Sequence, residues 1–233
     1  LWDEAIAELA LVEPDPGAPP LPAELAHQRD YALGSTLYAM RRRYAEAGAL
    51  LLGVAPYLGD GAAEAMFHGA RALSRADRDD DAITWYRRVV ATYPSTIYAQ
   101  EAAFLVGWLE LNRGRYAAAI APLEAALARY PRSRWTDDTR WFLGLAHYLL
   151  GHWEPARRQL TALADRRGAL EGGKGEYWRA RIAERLADRP AALAGYTDTI
   201  RRFPFSWYAL LAHARLAALG ADVPPFGQAD PAP

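Results

Sequence analysis

Across 233 residues the 27 basic and 28 acidic side chains nearly cancel, leaving a formal net charge of −1, so no bulk attraction to nucleic acid or to an anionic membrane exists and any polyanion site has to be local. Cysteine is absent, which excludes disulfides and thiolate metal sites and is compatible with an oxidising envelope compartment. The longest uncharged apolar run, Ala47 to Leu58, is broken by Gly53 and Pro56 and falls well short of the ~20 residues that span a bilayer, so no transmembrane segment is expected.

Taken in order, Trp2, Ile6 and Leu9 recur at helical spacing and predict a short amphipathic helix over residues 1–12. Asp3, Glu4 and Glu8 in that stretch, and the missing methionine at Leu1, distinguish it from a signal peptide and suggest a piece of a longer polypeptide. Residues 13–22 hold five prolines and read as a stiff linker. Helical patterns follow in pairs: 23–41 with 44–58, 62–76 with 80–92, 97–112 with 115–129, 136–150 with 152–165, and 176–186 with 190–202. Glycine or aspartate sits in the short turns, and proline stops several second helices. Gly168 to Gly175 is glycine-rich and is expected to be a mobile loop; residues 206–219 form a further single helix; residues 221–233 read as a proline-rich tail. Residues 23–220 are therefore expected to be one elongated domain.

The pairs are copies of one another. Gly107, Gly114 and Ala119 align with Gly144, Gly151 and Ala156 at an offset of 37 residues, and the same step leads back to Ala82; Ala192 lies 36 residues after Ala156. Tyr93-Pro94-Ser95, Tyr130-Pro131-Arg132-Ser133 and Phe203-Pro204-Phe205-Ser206 close three of the units. A unit of this size cannot bury its apolar face alone and must stack on its neighbours, which predicts an all-α, right-handed α-superhelical solenoid. Small residues at Ala70, Gly107, Gly144 and Ala180 and at Ala82, Ala119, Ala156 and Ala192 are expected where helices touch. Tyr86, Leu123, Leu160 and Tyr196, then Val90, Leu127, Ala164 and Ile200, are expected to fill the seam.

This order of small residue, turn glycine, aromatic, alanine and closing proline resembles the tetratricopeptide repeat, most closely in Gly107, Gly114-Arg115-Tyr116, Ala119 and Pro131, over roughly Ala62 to Ser206. The last stretch, Tyr177-Trp178-Arg179-Ala180-Arg181, then Tyr196, then Phe203-Pro204-Phe205-Ser206-Trp207-Tyr208-Ala209, resembles the end of the superhelical domain of soluble lytic transglycosylases, with Ala209 where that family often has glycine. That resemblance implies a non-catalytic domain in the periplasm or cell envelope that positions peptidoglycan glycan strands, or partner proteins, for an attached catalytic domain. The rival expectation is an envelope tetratricopeptide scaffold that binds proteins.

No catalytic constellation is present. The Glu-Ser and Gly-Leu-Met-Gln segments of the transglycosylase centre do not occur, and Glu64, Glu101 and Asp138 form one row near helix starts, where the helix dipole favours acids. The five histidines give no ligand set, so neither metal nor cofactor is expected. Gly172-Gly173-Lys174-Gly175 lacks the order of a phosphate loop, and Arg41-Arg42-Arg43 and Arg166-Arg167 sit at helix ends, where cations are favoured. One row remains. Phe67, Phe104, Trp141 and Tyr177 each precede a repeat alanine by fifteen residues, with Arg71, Trp108, Leu145 and Arg181 one turn further on. In the resembled repeats this face is concave and receives ligands, so Phe67, Arg71, Phe104, Trp108, Trp141, Tyr177 and Arg181 are the expected binding residues. The plainer alternative is that the rings pack between repeats.

Overall fold

The computed structural model describes residues 4, 6–8, 20–164 and 171–225. Among them every regular element is a helix: α1 (Ala23–Ala39), α2 (Tyr44–Val54), α3 (Ala62–Arg75), α4 (Asp79–Thr92), α5 (Ile97–Asn112), α6 (Tyr116–Arg129), α7 (Thr136–Leu149), α8 (Trp153–Ala164), α9 (Lys174–Arg185), α10 (Arg189–Arg202) and α11 (Trp207–Ala218). The fold is all-α, built of antiparallel helix pairs as the periodicity requires.

Two geometries recur in the connections. Five residues before each repeat alanine the chain turns through positive φ, at Asp77 (59°), Gly114 (72°), Gly151 (76°) and Ala187 (60°). The following N–H then reaches back to cap the first helix, as Arg78 to Leu73 (3.0 Å), Arg115 to Glu110 (2.9 Å), His152 to His147 (2.9 Å) and Asp188 to Ala183 (2.9 Å). At the other end of each unit the residue before proline is driven out of the helical region, with Tyr93, Tyr130 and Phe203 all at φ between −125° and −134°. Two residues past the proline a hydroxyl restarts the chain: the Thr96 and Ser206 oxygens accept the N–H of Ala99 (3.1 Å) and Ala209 (3.0 Å).

Two expectations change, and a third reaches beyond the described residues. The second helix of the first pair ends at Val54, not near residue 58, and passes into short 3-10 turns at Ala55–Tyr57 and Gly59–Gly61, since Pro56 has no N–H to continue it. The glycine-rich stretch is not all loop. Glu171–Gly173 is a 3-10 turn, and Lys174 and Gly175 already belong to α9; residues 168–170, like Arg166 and Arg167, lie outside the described residues. Gly173 is required there because it sits at φ 81° and a Cβ would fall 2.7 Å from the Phe203 ring. The helix expected at 1–12 is seen only at residues 4 and 6–8, where Ile6 packs on Leu37, Ala47 and Ala72. Residues 13–19 and 226–233, holding most of the expected linker and tail, are also outside the description.

The repeat alanines Ala82, Ala119, Ala156 and Ala192 are fully buried, as are Tyr86, Leu123, Leu160 and Tyr196. At Gly144 a Cβ would lie 3.1 Å from the Leu160 side chain, which is why one of the pair is small. The second seam row is shifted by one residue from expectation: Val89, Ala126, Leu163 and Thr199 are buried, while Val90 and Leu127 are only half-buried. Ile200 is buried as expected, and the Ala164 side chain lies outside those described. A helix face 100° wide is blurred by one residue in either direction, and burial of the neighbour is the outcome of the crossing angle.

The array divides into two compact units, 1–109 and 110–233, with the boundary inside α5. The sequence treats 23–220 as one domain; in a repeat array contacts run only between neighbours, so such an array separates readily into units. In the first unit α2 packs on α1 and α3, and α3 on α4. In the second each helix from α7 to α10 packs on the one before and the one after, and α9 also meets α11.

Candidate protein-docking faces of the first helices

In the first unit the expected aromatic row is core. Phe67 is 2% and Phe104 5% exposed. The Phe67 ring lies 5.7 Å from Tyr86 on α4 and 5.5 Å from Tyr98 on α5, wedged between its own second helix and the next first helix. A ring of that size is best placed where it loses most water-accessible area, and the position one turn before the close-contact residue offers that. What stays accessible is the next turn. Arg71 lies over the Phe67 ring at 5.9 Å and its Nη1 donates to Glu101 at 3.1 Å; Trp108, one repeat on, is half-buried.

Around Arg71 the structure gathers residues that periodicity alone did not single out for binding. His68 lies 5.1 Å from Tyr38 and 6.1 Å from Tyr98, with Nε2 3.7 Å from Glu64 and a buried Nδ1 that has no partner. Burial holds the His68 pKa below its ordinary value against the opposing charge of Glu64. Arg75 stacks on Tyr38 and Tyr44 at 5.5 and 5.4 Å and donates to the Tyr44 hydroxyl at 2.8 Å. The signal that could have found them is the position immediately after the buried aromatic, His68, Leu105, Phe142 and Trp178, which shares the half-exposed edge.

The second unit repeats the arrangement with other chemistry. Trp141 (8% exposed) and Tyr177 (6%) are buried, so the expectation of an exposed stacking row fails here too. Trp141 carries the Lys174 ammonium 3.6 Å over its ring and meets Trp178 edge-on at 6.0 Å. Burial lowers the Lys174 pKa and raises that of Asp138, while their mutual attraction opposes both shifts. Tyr177 is packed by Tyr196 at 5.8 Å and Tyr208 at 5.7 Å. Arg181 stays half-buried at the surface and donates to Glu184 at 3.1 Å; Glu184 also accepts from the Tyr196 hydroxyl at 2.6 Å and from Arg215. Burial pushes the Glu184 carboxyl up, but the bonds from Tyr196 and Arg215 and the charge of Arg181 outweigh it, and its pKa is depressed. Leu145 is half-buried beside the Trp141 cluster.

Glu64, Glu101 and Asp138 thus do more than sit at helix starts: Tyr98 bonds to Glu64, Arg71 bonds to Glu101, and Lys174 attracts Asp138, each from another helix. The His147 and His152 Nδ1 atoms lie 3.4 Å apart with ring centroids 5.7 Å apart, so the two nitrogens point straight at each other, as in a hydrogen bond. Among the described residues no group of three His, Asp or Glu side chains could hold a metal ion, and no helix is long and apolar enough to cross a membrane.

Residues 64–96 and 101–133 each match the tetratricopeptide repeat. The fold is tetratricopeptide-like. Solved structures with this tetratricopeptide-like fold include MamA from AMB-1 (TM-score 0.60, 20% identity, covering 81% of this chain and 97% of that one). PilF of Pseudomonas aeruginosa is similar (0.58, 15%, 81% and 82%), as is BtubC (BKLC) of P. vanneervenii (0.60, 17%, 99% and 94%). At these identities the likeness is one of fold. No curated protein matches the chain in sequence.

Proposed function

We propose that this chain is a non-catalytic scaffold whose first-helix faces dock other proteins. The observation that carries the reading is the surface one turn beyond the buried rings. Arg71 and Trp108 in the first unit, with His68 and Tyr38 near Arg71, and separately Arg181 with Trp178 in the second, offer half-exposed aromatic and guanidinium groups on helices, the side chains that dominate protein interfaces. The buried rings beneath hold that surface rigid and take no direct part. The test is site-specific photocrosslinking in an extract of the source cells, with the reactive group at Trp108, at Leu145, or at exposed Ala125 on a second helix. Adducts confined to the first two positions, and a partner so identified that loses affinity for the double variant Arg71→Ala, Trp108→Ala, support the reading. Equal crosslinking from Ala125 overturns it.

A second, finer reading is favoured by the residue order Tyr177-Trp178-Arg179-Ala180-Arg181 and Phe203 to Ala209: the superhelical domain of a periplasmic lytic transglycosylase, in which the partner is an attached catalytic domain and the ligand peptidoglycan. The packing of Tyr177 on Tyr208 joins the two halves of that pattern in one cluster. It requires the natural polypeptide, and not this chain, to release 1,6-anhydro sugar ends from murein sacculi. An inactive natural polypeptide leaves the scaffold reading alone.

A further inference from the structure

A cavity of about 640 Å³ lies in the second unit, lined by α8, α9 and α10. That volume lies in the range of small-ligand sites. It exists because this repeat is hollowed by small residues. Where the fourth pair carries His147, Pro155 and Gln159, the fifth carries Ala183, Ala191 and Gly195, all three lining the cavity. In the fourth pair Gln159 is half-buried and accepts a bond from Arg140 at 3.5 Å. In the fifth, a Cβ on Gly195 would come within 2.9 Å of Ala180, so α9 and α10 touch there and nothing projects into the space.

The rim is charged, and half of its charges are already matched. Arg157 is bound by Glu154 at 2.6 Å, and Glu176 by Arg202 at 3.1 Å. Asp188 uses one oxygen to cap α10 at the N–H of Ala191 (3.1 Å), leaving the other. Arg179 stands where the fourth pair has the buried Leu143; its Nε is buried with no acceptor, and no side chain among the described residues pairs with it. Asp198, across the cavity on α10, likewise has no partner among them. A guanidinium kept in place of a core leucine, with a desolvated and unbonded N–H, is a cost to folding that a bound carboxylate would offset.

We propose that this cavity binds a small zwitterionic ligand, the carboxy-terminal end of a peptide bearing a basic side chain. Its carboxylate meets Arg179, its cation meets Asp198 and the free oxygen of Asp188, and its carbon skeleton lies on Ala180, Ala183 and Gly195. The tripeptide Ala-Ala-Lys, its carboxamide and inorganic phosphate serve as probes, read by the amide NMR resonances of Ala183, Ala191 and Gly195. The free acid shifts these resonances saturably, the carboxamide binds roughly tenfold or more weakly, and Arg179→Leu, which copies Leu143, and Asp198→Asn each weaken binding by a similar factor. Circular dichroism verifies the fold of each variant, with Arg179→Gln used if the leucine variant unfolds. Absence of shifts with the free acid, equal binding of the carboxamide, or unchanged binding by the folded Arg179 variant overturns the proposal. Phosphate that reproduces the same shifts with equal affinity also overturns it, in favour of a bare anion site.

Discussion

The two units obey one steric plan and use different polar chemistry upon it. In the N-terminal unit the ion pair of Arg71 with Glu101 joins two first helices, among tilted rings and a half-buried imidazole. In the C-terminal unit one carboxylate, Glu184, collects Arg181, Arg215 and Tyr196 from three helices. Equivalent positions are therefore equivalent in volume and not in charge. Tyr86 and Tyr196 show it: both rings are fully buried at the same repeat position, yet only the Tyr196 hydroxyl is tied to a carboxylate.

The largest test breaks the steric half of that statement. Ala82→Leu in the first unit and Ala192→Leu in the second should each overpack a helix contact and cost roughly 1–3 kcal/mol in urea unfolding. A change within about half a kcal/mol at either site means the register of the repeats is wrong. Because repeat arrays lose cooperativity, hydrogen exchange of the flanking helices should accompany the denaturant curves.

The next test isolates the hydroxyl. Tyr196→Phe is expected to cost roughly 1.5 kcal/mol, since Glu184 loses a bond in a half-buried setting, whereas Tyr86→Phe should stay within about half a kcal/mol. Equal costs would erase the distinction drawn between the units.

Acidification sharpens the comparison further. His68 is held neutral by burial, so the unfolded chain takes up its proton first, and that part of the first unit's stability is lost as pH falls from about 6.5 through the lower folded value. Glu184 has a depressed pKa; its contribution is complete above the ordinary glutamate range near ~4.3 and is lost as pH falls through its lower folded value. Exchange around α3 should thus accelerate at milder acidity than exchange around α9. Simultaneous acceleration, or retention of the difference in His68→Gln, would count against this ordering.

Helix bounds, the repeat step and the buried alanines were legible in sequence because each is a local matter of turn chemistry and volume. Ile97–Asn112 is read off without error, since Thr96 starts it and Gly114 follows its end. Spacing locates the aromatic row but leaves its environment open between an exposed face and packing among the helices, and the rings take the second. Spacing tells which residues share a helix face but not how deeply the next helix seats against it, and the difference between Phe67 and Arg71 is that depth. The polar links were not legible at all: Arg71 with Glu101 and Glu184 with Arg215 join residues 30 and 31 apart, a separation that differs from the repeat step. The cavity is visible in the sequence only in retrospect, as three small residues at positions filled by larger ones in the preceding pair.

Asp77 and Ala187 occupy left-handed turn positions that glycine fills in the two middle pairs. A side chain there carries a steric penalty of about 1 kcal/mol, so Ala187→Gly should raise stability by up to that amount without touching a docking face, the cavity or a core contact. The chain thus comes with two places at which it can be reinforced without replacing a side chain of a docking face or of the cavity lining. Variants of Arg71, Trp108 or Arg179 studied in such a hardened background would report recognition, with the loss of fold that confuses most binding studies moved out of range.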